Sequence, residues 1–263
     1  MRNPDWLVPV WPAPPHVKAV CTTRAGGQSQ PPYDALNLGD HVGDRLEDVS
    51  ANRAVFQHAL GVQAVFLSQV HGTQVLALDY QTPQGSEADA CLTALPGLAC
   101  TIMVADCLPV LFTNRQGSLV AAAHAGWRGL AGQGGYGVLE AVHERIALLT
   151  ALTPVQPGRQ QSELLAWLGP CIGPQAFEVG DEVRAAFEGA GSAMAACFKP
   201  HGPGKWLANL SELARLRLAA LGVTQVFGND GSPAWCTVSQ PSRFFSHRRD
   251  RVSGRLAASI WLS

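Results

Sequence analysis

Nowhere in this chain do about eighteen apolar residues follow one another, so no stretch is suited to cross a bilayer as a helix, and no membrane is expected as partner. Charge is sparse as well. Only 15% of the residues are Asp, Glu, Lys or Arg, and the formal net charge is -1. Without a basic excess there is no broad electrostatic attraction for nucleic acid, and any basic site must be local. The first fifteen residues lack the unbroken apolar core of a signal peptide, being interrupted by Pro4, Pro9, Pro12, Pro14 and Pro15. Cys-x-x-Cys pairs are absent too. The seven cysteines (21, 91, 100, 107, 171, 197 and 236) form an odd, scattered set, which argues against a disulfide framework. A cytoplasmic protein is expected, with most of its thiols buried as small hydrophobes.

What the chain does have is apolar material in short pieces. Of its 263 residues, 47% are hydrophobic, enough for a sizeable core. Apolar runs bounded by turn residues predict strands at 17–22, 64–70, 98–105, 108–113, 118–123, 164–168, 224–227 and 256–262. Helical spacing predicts helices at 48–60, through Val49, Arg53, Phe56 and Leu60 with Val55 and Ala59, and at 138–149, through Val138, Leu139, Val142, Ile146 and Leu149. Two more helices are expected at 179–188 and 208–221, the latter opened by Asn209 or Ser211 and stopped by Gly222. The loosest stretch, 150–162, reads as a surface loop within one domain. This pattern predicts an α+β fold, a single domain over 1–263 with helices packed on sheets.

Three segments place polar residues where apolar strands end. VFLSQVHG sets His71 past one strand, CTIMVADCLP sets Asp106 and Cys107 past another, and LVAAAHAGWRG sets His124 past a third. Two imidazoles and one thiolate suit zinc, and three protein ligands leave a fourth position for water or substrate. The spacing matches no short zinc motif, so convergence of the three is an expectation about the fold. The same atoms fit a second chemistry, with Cys107 as thiolate nucleophile and His71 or His124 as base.

Arginines supply candidate anion contacts. Arg24 in CTTRAGG stands before a Gly-Gly turn, with Asn37, His41 and Arg45 following, and SRFFSHRRDRVSGR gathers Arg243, His247, Arg248, Arg249, Arg251 and Arg255. GQGGYG at 132–137 satisfies G-x-G-x-x-G, but HAGWRGLA separates it from the preceding strand. It therefore reads as a flexible loop rather than a dinucleotide fingerprint.

The ordered segments TTRAGG, PPYDALNLG, QVHG, ADCLPVLF, AAHAGWRG, GPCIGPQAFEVG and FFSHRRD…GR span residues 6 to 263. Together they resemble the laccase-domain, or YfiH-type, purine nucleoside phosphorylases, first named for multicopper polyphenol oxidase activity. The resemblance implies layered mixed β-sheets flanked by helices, similar to cysteine-hydrolase-like folds. It implies a metal, zinc with copper as the alternative, on His71, Cys107 and His124, with these three also the catalytic residues. The implied partners are purine nucleosides and phosphate; the implied reactions are phosphorolysis of adenosine, inosine, guanosine and methylthioadenosine, and deamination of adenosine. Arg24, Asn37 and Arg249 are the substrate contacts carried over; Asp106 is expected as a further contact, and Asp106 or a nearby group is expected to handle protons in the deamination. Cys171 is not carried over as a ligand. The rival expectations are a copper-dependent polyphenol oxidase, a cysteine hydrolase cutting an amide of a cell-wall precursor, and a nucleoside-binding module without turnover.

Overall fold

The computed structural model describes residues 5–152, 163–188 and 192–263. In chain order the elements are β1 (Val17–Cys21), α1 (Leu46–Leu60), β2 (Gln63–Phe66), β3 (Val75–Ala77), β4 (Ala90–Thr93), β5 (Leu98–Val104), β6 (Leu108–Asn114) and β7 (Val120–Ala125). There follow α2 (Trp127–Ala131), α3 (Val138–Leu152), β8 (Leu164–Leu168), β9 (Glu178–Gly180), α4 (Asp181–Glu188) and α5 (Ser192–Ala195). The chain then forms β10 (Phe198–Gly202), β11 (Lys205–Ala208), α6 (Leu210–Ala220), β12 (Gln225–Gly228), α7 (His247–Asp250) and β13 (Leu256–Leu262). The fold is mixed α+β, as its sequence pattern predicts. None of the described helices is long and apolar enough to cross a membrane.

The strands form a six-stranded sheet in the order β12-β8-β6-β7-β4-β3, a four-stranded sheet in the order β1-β13-β5-β2, and a small β10-β11-β9 sheet. Side-chain alternation explains why the two larger sheets stack. In β5, Leu98, Cys100, Ile102 and Val104 face one core, while Ala99 and Met103 face another. In β7, Val120 and Ala122 join the Cys100 and Ile102 side, while Ala121, Ala123 and Ala125 join the opposite one. One apolar layer therefore lies between the sheets. A second lies under α1, where Phe56 and Leu60 meet Val20 and Trp261. The third lies under α3 and α6, where Val142, Ile146, Leu213 and Leu218 meet Phe112 and Ala166. Burying one side chain of this size contributes about 1.5–3 kcal/mol, so the layers hold the strand ends rigidly.

Several boundaries differ from the sequence reading. The strand expected at 64–70 ends at Phe66, so Leu67 to Val70 form an irregular approach to His71. The strand expected at 118–123 runs from Val120 to Ala125, which puts His124 inside it rather than past its end. Five strands were not foreseen: β3, β4, β9, β10 and β11. They are three to five residues long, too short for alternation to stand out. Residues 179 and 180 of the helix expected at 179–188 belong to strand β9, and the helix begins at Asp181. Asn209 caps α6 by accepting from Glu212 N, as foreseen, and Gly222 follows in the left-handed region at φ 79. Val55, counted on the apolar face of α1, is exposed. The expected loop 150–162 begins as the last turn of α3, and its residues 153–162 lie outside those described.

One buried side chain fastens the long segment between β1 and α1. Asn52 of α1 donates to Ser29 Oγ, Ala35 O and Asn37 O and accepts from Gln28 N. An amide with both ends committed fixes the loop that carries His41 to the site described next.

Candidate metal centre

His71, Cys107 and His124 converge. Their ligand atoms all lie within 4.8 Å of one another, and this is the one such group of metal-ligating side chains among the described residues. Cys107 Sγ is 3.8 Å from His71 Nε2, and the two imidazole centroids are 4.7 Å apart. Tetrahedral zinc with ordinary bond lengths would hold sulfur and nitrogen about 3.5 Å apart, so the donor set fits zinc with little movement. A second observation supports the fit. A Cβ at Gly126 would come 2.9 Å from Cys107 Sγ and 3.0 Å from His71 Cδ2. The chain thus keeps backbone alone where these two donors close in.

Local structure explains how each donor is aimed. His124 sits in β7 opposite Pro109 of β6, buried, so the sheet register sets its position. Cys107 occupies the tight turn between β5 and β6 behind Asp106, which has φ 91. His71 also lies in the left-handed region, at φ 62, a conformation that costs a non-glycine residue about 1–2 kcal/mol. Something must hold it there. Asp89 accepts hydrogen bonds from the backbone N–H of Val70, His71 and Gly72, and from His124 Nδ1.

Charge at the centre is coupled. Burial pushes the Cys107 thiol up, but the charge of His124 beside it and hydrogen bonds from both histidines outweigh burial and bring it down to about 6. Burial lowers His124, while Cys107 and Asp89 raise it further, to about 9. Without metal the pair is a thiolate and an imidazolium. The other six cysteines are buried, with burial raising Cys21 to about 12 and Cys197 to about 11. Iodoacetamide at pH 7 should therefore modify metal-free protein at Cys107 and spare the rest, with a rate that rises with pH through about 6 and then levels off. Bound zinc should block the modification. Peptide mass spectrometry reads both results, and prior labelling of Cys171 or Cys236 would contradict this order of reactivity.

The three donors line a cavity of about 470 Å³, within the range of roughly 300–1,000 Å³ usual for small-molecule sites. Trp127, Phe177 and Ile172 supply apolar walls, and Arg128, Arg248, Arg251 and Arg255 bring positive charge. Burial lowers the pKa of Arg255, opposed by the charges of Cys107 and Asp106. The guanidinium groups of Arg128 and Arg251 make no hydrogen bond to the described residues, although Arg128 lies over the Trp127 ring at 4.3 Å.

The other expected contacts are placed differently. Asp106 lines the cavity, but Oδ1 accepts from Thr237 Oγ1 at 2.5 Å and Oδ2 from the Arg248 N–H at 2.6 Å. Its carboxylate ties Arg248 to the Cys107 turn rather than standing free to carry protons. Arg24 is outside the lining, bonded to Asp34 and Pro241 O and stacked on Phe245. The Gly-Gly turn after it packs on Ala35 and Leu36, since a Cβ at Gly27 would come 2.3 Å from Ala35 O. Asn37 is fully buried and accepts from the N–H of Arg255. Arg249 bonds Thr237 O, Val238 O, Phe244 O and Asp250. Arg24, Asn37 and Arg249 shape the loops around the cavity instead of lining it. The GQGGYG segment, expected to be flexible, closes on itself between Gln133 and Tyr136 and is tied to buried Arg217 through Gly135 O and Glu140. Sequence reasoning missed Asp89, Gln69, Phe177 and Ile172. Asp89 in SEADAC has no local signal, because its partners are fixed only by the pairing of distant segments.

Comparison with known proteins agrees with this architecture. The family model described as multi-copper polyphenol oxidoreductase laccase matches residues 18–263. A purine nucleoside phosphorylase of Pseudomonas aeruginosa is 48% identical over 258 residues, covering 98% of this chain and 98% of that protein. The purine nucleoside phosphorylase YfiH of Escherichia coli is 48% identical over 97% of this chain and 98% of its own length. A crystal structure of a Neisseria meningitidis protein is similar in fold, with a TM-score of 0.86, 44% identity, and coverage of 98% of this chain and 99% of that one.

Proposed function

Since this chain belongs to the multi-copper polyphenol oxidoreductase laccase family, with relatives named purine nucleoside phosphorylase, we propose that it is a zinc-dependent purine nucleoside phosphorylase. Adenosine deamination and methylthioadenosine phosphorolysis belong to the same proposal. One observation carries it: a His-Cys-His donor set lines one cavity together with aromatic walls and with the guanidinium groups of Arg128 and Arg251, which make no hydrogen bond to the described residues.

His71, Cys107 and His124 would hold the metal. When bound, it supplies Lewis-acid polarisation of the substrate or of a water molecule. Trp127 and Phe177 offer faces against which a purine is shielded from water. Arg251 and Arg255 hold phosphate next to the ribose, because guanidinium donors match the oxyanion in charge and geometry. In phosphorolysis a phosphate oxygen forms a bond to C1′ as the bond from C1′ to the purine breaks, and the purine leaves with its electron pair and takes up a proton. In deamination, water adds at C6 and ammonia departs. Asp106, bonded to Thr237 and to the Arg248 N–H, keeps the arginine segment against the Cys107 turn.

The test is to incubate the zinc-loaded protein with adenosine at several phosphate concentrations and separate the products. Adenine and ribose 1-phosphate should rise with phosphate, inosine should form without it, and a chelator should stop both. Adenine release that ignores phosphate, or full turnover after complete metal removal, would sink the proposal. A copper oxidase is the second reading, favoured by the family's description alone. It predicts a coloured protein that consumes oxygen with a phenol, and the same preparation tests it.

A further inference from the structure

A fully buried carboxylate stands behind the three donors. Asp89 precedes β4, its own carbonyl accepts the His124 N–H at 2.7 Å, and its N–H donates to Gln74 O at 3.1 Å. We propose that Asp89 is the positioning residue that aims two of the three metal donors, His71 through its backbone and His124 through its ring. The inference rests on the metal reading above.

The two carboxylate oxygens divide the work. Oδ1 accepts from the His71 N–H at 2.8 Å and from His124 Nδ1 at 2.8 Å. Oδ2 accepts from the Gly72 N–H at 2.6 Å and the Val70 N–H at 3.1 Å. Three successive N–H groups can converge on one anion only where the chain leaves the extended conformation, in which they alternate in direction. The left-handed φ of 62 at His71 produces that convergence. The carboxylate thereby stabilises a backbone shape that His71 would otherwise avoid, and that shape directs its Nε2 at Cys107.

The ring of His124 is governed differently. A carboxylate only accepts, so the proton of the neutral imidazole must sit on Nδ1. This leaves the Nε2 lone pair free on the side of Cys107 and His71, as a metal ligand requires. Asp89 is therefore coupled to both histidines while touching neither the cavity nor any atom a substrate reaches.

Asp89→Asn keeps the shape and replaces one oxygen by an NH₂ donor. In either amide orientation two of the four donors lose their acceptor. With NH₂ towards His124, the ring accepts at Nδ1 and carries its proton on Nε2, which closes the ligand position. With NH₂ towards Val70 and Gly72, the turn at His71 opens. Zinc affinity should fall roughly ten- to hundredfold, the range for loss of a carboxylate that orients a ligating histidine.

The experiment has two arms. Competition with a chromophoric chelator gives the zinc affinity of the parent and of Asp89→Asn, and circular dichroism of the metal-free forms reports folding. Nitrogen-15 NMR of the histidine rings in the zinc-loaded parent shows which nitrogen of His124 carries the proton, and needs no variant. A folded variant with zinc affinity within twofold of the parent overturns the inference, as does a His124 proton on Nε2. If the variant does not fold, the NMR result decides. A parent that binds no zinc overturns the metal reading itself, whereas failure of the inference alone leaves parental binding intact.

Discussion

Cys107→Ala should abolish zinc binding and lower turnover of adenosine and inosine on the order of a thousandfold, while leaving the fold standing. The polar partners of the side chain are His71 and His124, and it sits half-buried in a turn, so little packing is lost. The chemical loss is larger. Cys107 is the one anionic donor in the set, and the two imidazoles outweigh burial and make its thiolate the stable form near neutral pH. Two histidines alone leave half of a tetrahedral site to solvent, and the third position cannot be recovered from Asp106, whose oxygens are already bonded. A bound metal contributes several kcal/mol to the transition state, which corresponds to a loss of this size. Metal content by mass spectrometry and turnover by chromatography should fall together. A variant without zinc that keeps more than a tenth of the parental rate would remove the metal from the chemistry.

The combined variant Arg251→Met, Arg255→Met should cut phosphorolysis about a hundredfold or more and leave adenosine deamination much less affected. The guanidinium group of Arg251 makes no hydrogen bond to the described residues. Arg255 is half-buried, and among the described residues its guanidinium bonds only Ser253 and the Gly254 carbonyl of its own turn, close enough to Cys107 and Asp106 for their charges to act on it. Such guanidinium groups hold spare donors in a partly dry cavity, the arrangement that favours an oxyanion. Each charged hydrogen bond lost costs about 1.5–3 kcal/mol, so two cost at least about 3 kcal/mol. Methionine retains most of the stem, which matters for Arg255 because it packs against Gly39. The phosphate dependence of purine release should weaken while inosine formation from adenosine persists. Equal loss of both activities with zinc intact would show that these arginines serve the nucleoside rather than phosphate.

The layered sheets follow from patterns that lie within single segments. The run LACTIMV, apolar except for Thr101, and the alanine-rich VAAAHA read directly as buried strands, because a strand covered on both faces needs no polar alternation. The cap at Asn209 and the buried spacing of Val138, Val142 and Ile146 are equally local. The segments around positions 71, 107 and 124 also carried the family resemblance, and with it the suggestion that these residues meet.

Tertiary structure decided the rest, for reasons of distance along the chain. Arg24 and Arg249 looked as suitable for an anion as Arg251 and Arg255. Their roles diverge only because Asp34, Pro241 O and Asp250 lie within bonding reach of the first pair. The strand register that sets His124 opposite Pro109 and beside Asp89 joins residues whose separation no local pattern records. Asp89 shows this most clearly: in sequence it is one carboxylate among alanines, and its function exists only through four donors that the fold delivers to it. Propensity and periodicity act over neighbouring residues, and so the sequence by itself determined the elements and their buried faces. The aim of each polar side chain depends on which desolvated partner the packed sheets bring within about 3 Å, and that is a property of the folded chain alone.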